Sequence, residues 1–250
     1  MMLRRMQGCL LVLVGFLYVA RVAAGQGLID LKRANWVPSS STPGTEVALL
    51  EQKREKSRET SKELRGATFV YYQLTAKGFE HQARYSVWIC VSRAHPLRFA
   101  EVTLGDGGTV LDAEGKPLTI VTPVSRGEAF SVALASEDES KRAFDKVVPF
   151  PLTANDGGCT VEAEQVLLGM AYELRGHGFS SGESVKLMCD CKGKIETPKA
   201  EFAADDKGQW SSIVARDPAE KSERMNLLIH GKACTVPLNL AFGKSALNYE

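Results

Sequence analysis

Tyr72-Gln-Leu-Thr-Ala-Lys-Gly-Phe79 returns as Tyr172-Glu-Leu-Arg-Gly-His-Gly-Phe179, matched at Tyr, Leu, Gly and Phe with an offset of 100 residues. Each copy leads into an alternating run, Val87-Trp-Ile-Cys-Val91 after the first and Val185-Lys-Leu-Met-Cys189 after the second. Period-two alternation sends successive side chains to opposite faces of a strand. Further on, Gly127-Glu-Ala-Phe130 and Gly208-Gln-Trp210 each set an aromatic near a glycine before another alternating run. Gly78-Phe79 and Gly178-Phe179 are thus one turn met twice, and the chain divides into two homologous β-units, 67–155 and 156–250. Each approaches the roughly 100 residues at which a sandwich can bury a core of its own.

Between the alternating runs lie turn clusters: Gly105-Asp-Gly-Gly108, Asp112-Ala-Glu-Gly115, Asn155-Asp-Gly-Gly158 and Asp205-Asp-Lys-Gly208. Short strands punctuated this way indicate an all-β sandwich rather than βαβ units. The second copy also resembles a known pattern. Gly176-His-Gly-Phe-Ser-Ser-Gly-Glu-Ser-Val185 is similar to the G-x-G-F-x-P-G-E-x-V turn of bacterial immunoglobulin-like modules in exported proteins, with Ser181 where proline is usual. Pro149-Phe-Pro-Leu-Thr-Ala-Asn-Asp-Gly157 and the glycine after it resemble the inter-domain segment of tandem-domain exported proteins. The first copy keeps Gly78-Phe79 and lacks the Gly-Glu pair. The resemblance implies two tandem immunoglobulin-like β-sandwiches and a place outside the cytoplasm. It implies no activity, because such modules serve as spacers or binding units.

Ahead of the repeat, Arg4 and Arg5 precede the apolar run Leu10–Ala20, which ends in Val22-Ala23-Ala24 before Gly25. That is the layout of a cleavable signal peptide over residues 1–24. The run falls short of the roughly 20 residues a spanning helix needs. Losing Arg4, Arg5 and Arg21 with it takes the net charge from +1 to −2, a balance that calls for neither nucleic acid nor an anionic membrane. Residues 25–66 are a linker and a charged segment. From Glu46 to Arg65 there is no Pro or Gly, and Glu51, Glu55 and Glu59 each precede a basic residue three positions on (Arg54, Arg58, Lys62). Such i,i+3 pairs predict a short solvated helix.

Five cysteines follow the leader: Cys90, Cys159, Cys189, Cys191 and Cys234. Alternation puts Cys189 and Cys191 on the face of Val185 and Leu187, Cys234 with Val236 and Leu238, and Cys159 with Val161. In an oxidising compartment such a set reads as disulfides. A Cys189–Cys191 bridge is disfavoured on an extended strand, so Cys159 and Cys234 are each expected to bond one member of the Cys-Asp-Cys. Cys90 is left as the unpaired thiol. A tetrathiolate metal site is the alternative, against which stands a C-x-C lying within a strand rather than C-x₂₋₄-C on a turn.

Gly178-Phe-Ser-Ser-Gly182 also fits the G-x-S-x-G elbow of serine hydrolases, with Ser180 as nucleophile, Asp205, Asp206 or Asp217 as orienter and His230 as base. The elbow needs a helix after it, whereas a strand follows here, so a polar turn explains the same residues. The histidines have no metal-binding spacing, and the acidic turns match no calcium loop. The reading is therefore a non-catalytic exported binding or structural module. No cofactor and no metal are expected, and the partner class that fits is another exported or cell-surface protein.

Overall fold

The computed structural model describes residues 41–57, 66–92, 96–191, 194–195, 200–216 and 223–247, with the side chains of 190, 191, 194, 195, 244 and 247 left aside. The leader over 1–24 and the linker up to position 40 lie outside these residues. Within them the regular elements are strands and two short 3₁₀ turns, with no α-helix. The chain is all-β.

The first eight strands are β1 (Glu46–Lys56), β2 (Thr68–Lys77), β3 (Tyr85–Val91), β4 (Leu97–Leu104), β5 (Val110–Leu111), β6 (Thr119–Val124), β7 (Phe130–Ser136) and β8 (Arg142–Val147). They form two antiparallel sheets, ordered β1-β2-β6 and β5-β4-β3-β7-β8. The remaining nine are β9 (Leu152–Asp156), β10 (Cys159–Leu167), β11 (Ala171–His177), β12 (Ser184–Cys191), β13 (Lys194–Ile195), β14 (Ala200–Ala203), β15 (Trp210–Ala215), β16 (Arg224–His230) and β17 (Thr235–Ala241). Their sheets run β9-β10-β11-β15 and β13-β12-β16-β17, with β14 also on β12. The topology repeats. β1-β2-β6 corresponds to β10-β11-β15, and β3-β7-β8 corresponds to β12-β16-β17.

Each pair of sheets encloses its own hydrophobic core. One gathers Leu74, Val87, Ile120 and Leu134 around Tyr72 and Phe130. The other gathers Leu174, Leu187, Ile229 and Leu238 around Tyr172 and Phe242. In both, the repeated tyrosine is at most 2% exposed. Burying an aromatic of this size stabilises by about 1.5–3 kcal/mol. The repeated turn ends each core's edge: Phe79 packs edge-on to Tyr85, and Phe179 edge-on to Trp210. Its glycine is obligatory. Gly78 and Gly178 adopt φ of 78° and 81°. A Cβ on them would stand 2.0 Å from the Gly44 carbonyl oxygen and 2.3 Å from that of Gly158.

The expected charged helix is a strand. In β1, Val47 and Leu49 alternate into the core opposite Ala76 and Leu74. Helical charge spacing is outweighed by a hairpin that buries both residues, because propensity yields to tertiary packing. The Glu51–Arg54 ion pair does form, at 2.6 Å. It spans a β-bulge, not a helical turn. The register shifts between Glu51 and Lys53, and the extra residue, Gln52, returns Arg54 to the side of Glu51. Arg54 then lies over the Phe150 ring at 4.5 Å. Arg58, Glu59 and Lys62 fall outside the described residues. The cores reach past the expected bounds: Val47 and Leu49 serve the first core from ahead of position 67, and Leu152 serves the second from ahead of 156.

Candidate functional site

Cys159 and Cys234 are bonded to each other, their Cα atoms 6.2 Å apart. This corrects the expected pairing of each with the Cys-Asp-Cys. The physical reason lies in the strand ends: Cys159 opens β10 beside the β9 hairpin, Cys234 sits just ahead of β17, and Asp156 of that hairpin accepts the Thr235 N–H at 2.8 Å. The two turns lie side by side, an adjacency that period-two alternation cannot reveal. Cys189 is buried on the core side of β12 and is also held in a disulfide; the side chain of Cys191 lies outside the described set. A bond between two of the four sulfurs is incompatible with the tetrathiolate reading. Among the described residues, no group of three His, Cys, Asp or Glu side chains could hold a metal. Cys90 takes part in no disulfide. Its Sγ lies 3.5 Å from the Ser92 carbonyl oxygen, and burial pushes the thiol up to about 11, out of the range of reactive thiolates.

Ser180 and His230 face one corner of the surface. Both line a surface cavity of about 560 Å³, together with Ser181, Glu183, Lys186 and Lys232. The turn after Phe179 supplies one wall and the β16–β17 turn the other. A working triad, however, needs a base bonded to the nucleophile and oriented by a third group. No hydrogen bond joins Ser180 to His230, and the His230 Nδ1 faces the Thr235 hydroxyl at 3.0 Å rather than a carboxylate. Asp205 caps its own turn, accepting the N–H groups of Lys207 and Gln209 at 2.9 and 2.7 Å. The side chain that sequence reasoning passed over is Glu183. Both of its carboxylate oxygens are shielded from solvent and have no hydrogen-bond partner among the described residues.

A second polar site joins the two repeats. The Ser125–Ala129 turn, between β6 and β7, is seated on β10. Gln165, fully buried, donates its backbone N–H to the Gly127 oxygen at 2.7 Å and its side-chain amide to the Arg126 oxygen at 2.9 Å. Its own side-chain oxygen accepts the Gly169 N–H. Gly127, at φ 72°, has no room for a side chain: a Cβ would stand 2.7 Å from the Ala163 oxygen and 3.2 Å from the Tyr172 ring. Glu128 is 3% exposed and accepts the Ser125 N–H at 2.7 Å. Burial outweighs that bond and pushes its carboxyl up to about 7. At the rim, Lys146 of β8 reaches Glu164 of β10 at 2.6 Å, and Arg175 reaches the same carboxylate at 3.4 Å.

No protein-family model matches the chain, and no curated protein matches it. Among solved structures, a tetra-tandem repeat in the extending region of a large adhesion protein is similar at 13% identity. It covers 80% of this chain and 50% of its own, with a TM-score of 0.26. A Ca²⁺-stabilized adhesin that helps an Antarctic bacterium reach out and bind ice is similar at 16% identity. It covers 81% of this chain and 49% of its own, with a TM-score of 0.21. The chain spans about half the length of these structures.

Proposed function

We propose that the chain is an exported, non-catalytic binding or structural module made of two immunoglobulin-like β-sandwiches held at a fixed angle. The leader-like sequence over 1–24 supports export. The repeated strand order, one core to each pair of sheets, supports two domains that divide just ahead of β9, the first extended by β1. The observation that carries the reading is the joint. A flexible tether between modules would leave polar groups in water, whereas here Gln165 and Glu128 are buried where the Ser125–Ala129 turn meets β10. Inter-domain contacts of this kind restrain relative motion, which the default linker does not.

Small-angle scattering tests this. The chain should scatter as one elongated body of fixed length, and Gly127→Val, which drives a side chain into Ala163 and Tyr172, should broaden the distance distribution. A chain that already scatters as two freely jointed bodies overturns the structural reading. The competing hydrolase reading is tested by fluorophosphonate labelling: a label lost in Ser180→Ala would make the protein an enzyme.

A further inference from the structure

Among the described residues Glu128 is the only buried carboxyl, and it sits in the joint between the two copies. Its charge bears on Tyr72 of the first core and on Tyr172 of the second, which places it between them. Neither tyrosine gives it a hydrogen bond. The Tyr172 hydroxyl donates to the Ala241 oxygen at 2.7 Å, and the shielded Tyr72 hydroxyl has no partner among the described residues. The charged groups around the joint are committed elsewhere. Arg126 of the same turn acts on Tyr172, and Glu51 and Arg54 of β1 act on Tyr72. Lys146, Glu164 and Arg175 are paired with one another at the rim. What bears on the Glu128 carboxyl is burial and its own turn, through Ser125. An ionised carboxylate in that place has lost its water and found no cation, an arrangement that is costly to keep.

The joint around it is made to part at one seam. The turn is held on the second copy by two hydrogen bonds from Gln165, to the Gly127 and Arg126 oxygens, and by the fit of Gly127 against Ala163 and the Tyr172 ring. Lifting the turn from β10 breaks those two bonds and admits water to Glu128. Both hydrophobic cores stay closed, since each lies within its own pair of sheets. Opening of this kind is a local event and needs less free energy than unfolding either copy.

We propose that the Ser125–Ala129 turn is a pH-operated latch: with Glu128 protonated it stays seated on β10 and fixes the angle between the copies, and ionisation of Glu128 releases it. The latch rests on the reading of the joint as rigid and gives the condition under which it is so. Its direction follows from the carboxyl itself, held up at about 7 in the closed joint against an ordinary 4.5 in water. The closed form binds the proton more tightly, so rising pH favours the open form. The gain is about tenfold per pH unit between those values and levels off above them.

Amide hydrogen exchange of the whole chain at pH 5 and pH 8, each rate divided by the intrinsic rate at that pH, tests the latch. Protection of the Gln165 N–H, which is bonded to the Gly127 oxygen, should fall about 50- to 100-fold from pH 5 to pH 8. Amides of β7 and β16, inner strands of the two cores, should keep theirs. Glu128→Gln keeps the shape and cannot ionise, so Gln165 should stay equally protected at both pH values. Gly127→Val, which holds the turn off β10, should leave Gln165 poorly protected at both. Protection of Gln165 that does not change with pH in the natural chain, or that falls as much in either variant, overturns the proposal. So does a parallel fall in β7 and β16, which would make the event an unfolding. Scattering at pH 5 separates this from the reading beneath it: two freely jointed bodies there would overturn the rigid joint itself, whereas one fixed body with unchanging exchange overturns the latch alone.

Discussion

Thr45 and Cys159 occupy the same place in the two copies: each follows the glycine whose carbonyl oxygen crowds Gly78 or Gly178. Each ties the entering strand to the last strand of its unit, but with different chemistry. Thr45 donates its hydroxyl to the Arg142 carbonyl at 2.7 Å, and the Thr42 backbone N–H donates to the same oxygen at 2.8 Å. Ser41 and Thr42 hydroxyls accept the Phe144 and Arg142 N–H groups at 3.0 Å each. The second copy replaces this polar belt by one covalent bond, Cys159–Cys234. A hydroxyl staple works only while the backbone around it is ordered; the disulfide acts on the unfolded chain as well. The second copy should therefore be the more resistant one under oxidising conditions and should lose that advantage on reduction.

The largest expected effect follows from that contrast. The disulfide closes a loop of sequence separation 75, for which chain-entropy arguments give about 4 kcal/mol. Replacing both cysteines by serine should lower second-core stability by about that much. Hydrogen exchange should then accelerate in β10 and β17 first, with β1 and β8 following only as far as the joint couples the two cores. Equal acceleration everywhere would mean that the two copies unfold as one unit.

Next in size is Glu128, which tests that coupling from within the joint. Its carboxyl is pushed up to about 7 from an ordinary 4.5. The folded protein therefore holds this proton at a pH where the unfolded chain has lost it. The contribution is most favourable below about 4.5, falls as pH rises to about 7, and is level above that. The loss amounts to about 3 kcal/mol. Glu128→Gln should therefore stabilise by about that much at pH 8, change little at pH 4, and flatten the denaturation-versus-pH curve between them. The charge-bearing or titratable groups near it are Tyr72 of β2, Tyr172 of β11 and Arg126 of its own turn. An unchanged pH profile in the variant would place the titration elsewhere.

Smaller again is Thr45→Ala. It removes one staple hydrogen bond from the first copy and should cost about 1 kcal/mol, seen as faster exchange at Arg142 and Phe144. A loss rivalling that of the disulfide would erase the contrast between the staples.

How much of this was readable beforehand depends on the range of each interaction. The Gly-Phe turn was legible because its requirements are local: a left-handed glycine, then an aromatic that closes the core. The buried faces of Val185, Leu187 and Cys189, and of Cys234, Val236 and Leu238, were legible from alternation alone. β1 was not. Only Val47 and Leu49 of its eleven residues face the core, and Glu51 and Arg54 imitate helical spacing because a bulge, invisible in sequence, restores them to one side. The disulfide partner of Cys159 was illegible for a related reason, since it depends on two hairpin ends meeting across sheets. The Lys141–Glu80 ion pair and the Tyr85 hydroxyl bonds to the Glu80 backbone, at positions where the second copy has Ser180 and Val185, became visible only once the two copies could be compared position by position.

The smallest expected effect concerns the rim of the joint. Lys146, Glu164 and Arg175 form a chain of charges in which Glu164 is 13% exposed and its partners are one-third to two-fifths exposed. Partly solvated pairs of this kind contribute about 0.5–1 kcal/mol and are screened by salt. Glu164→Gln should thus weaken the joint only slightly at low ionic strength, and the difference should vanish in about 0.5 M salt, where the Debye length shrinks below the size of the network. If the variant instead separated the two bodies in scattering at any salt concentration, charge rather than packing would hold the copies together. Gly127 and Gln165 would then merely fill the space between them. If it separates them at none, the close fit around Gly127 is what sets the angle, and the rim charges act only on how the two surfaces first find each other.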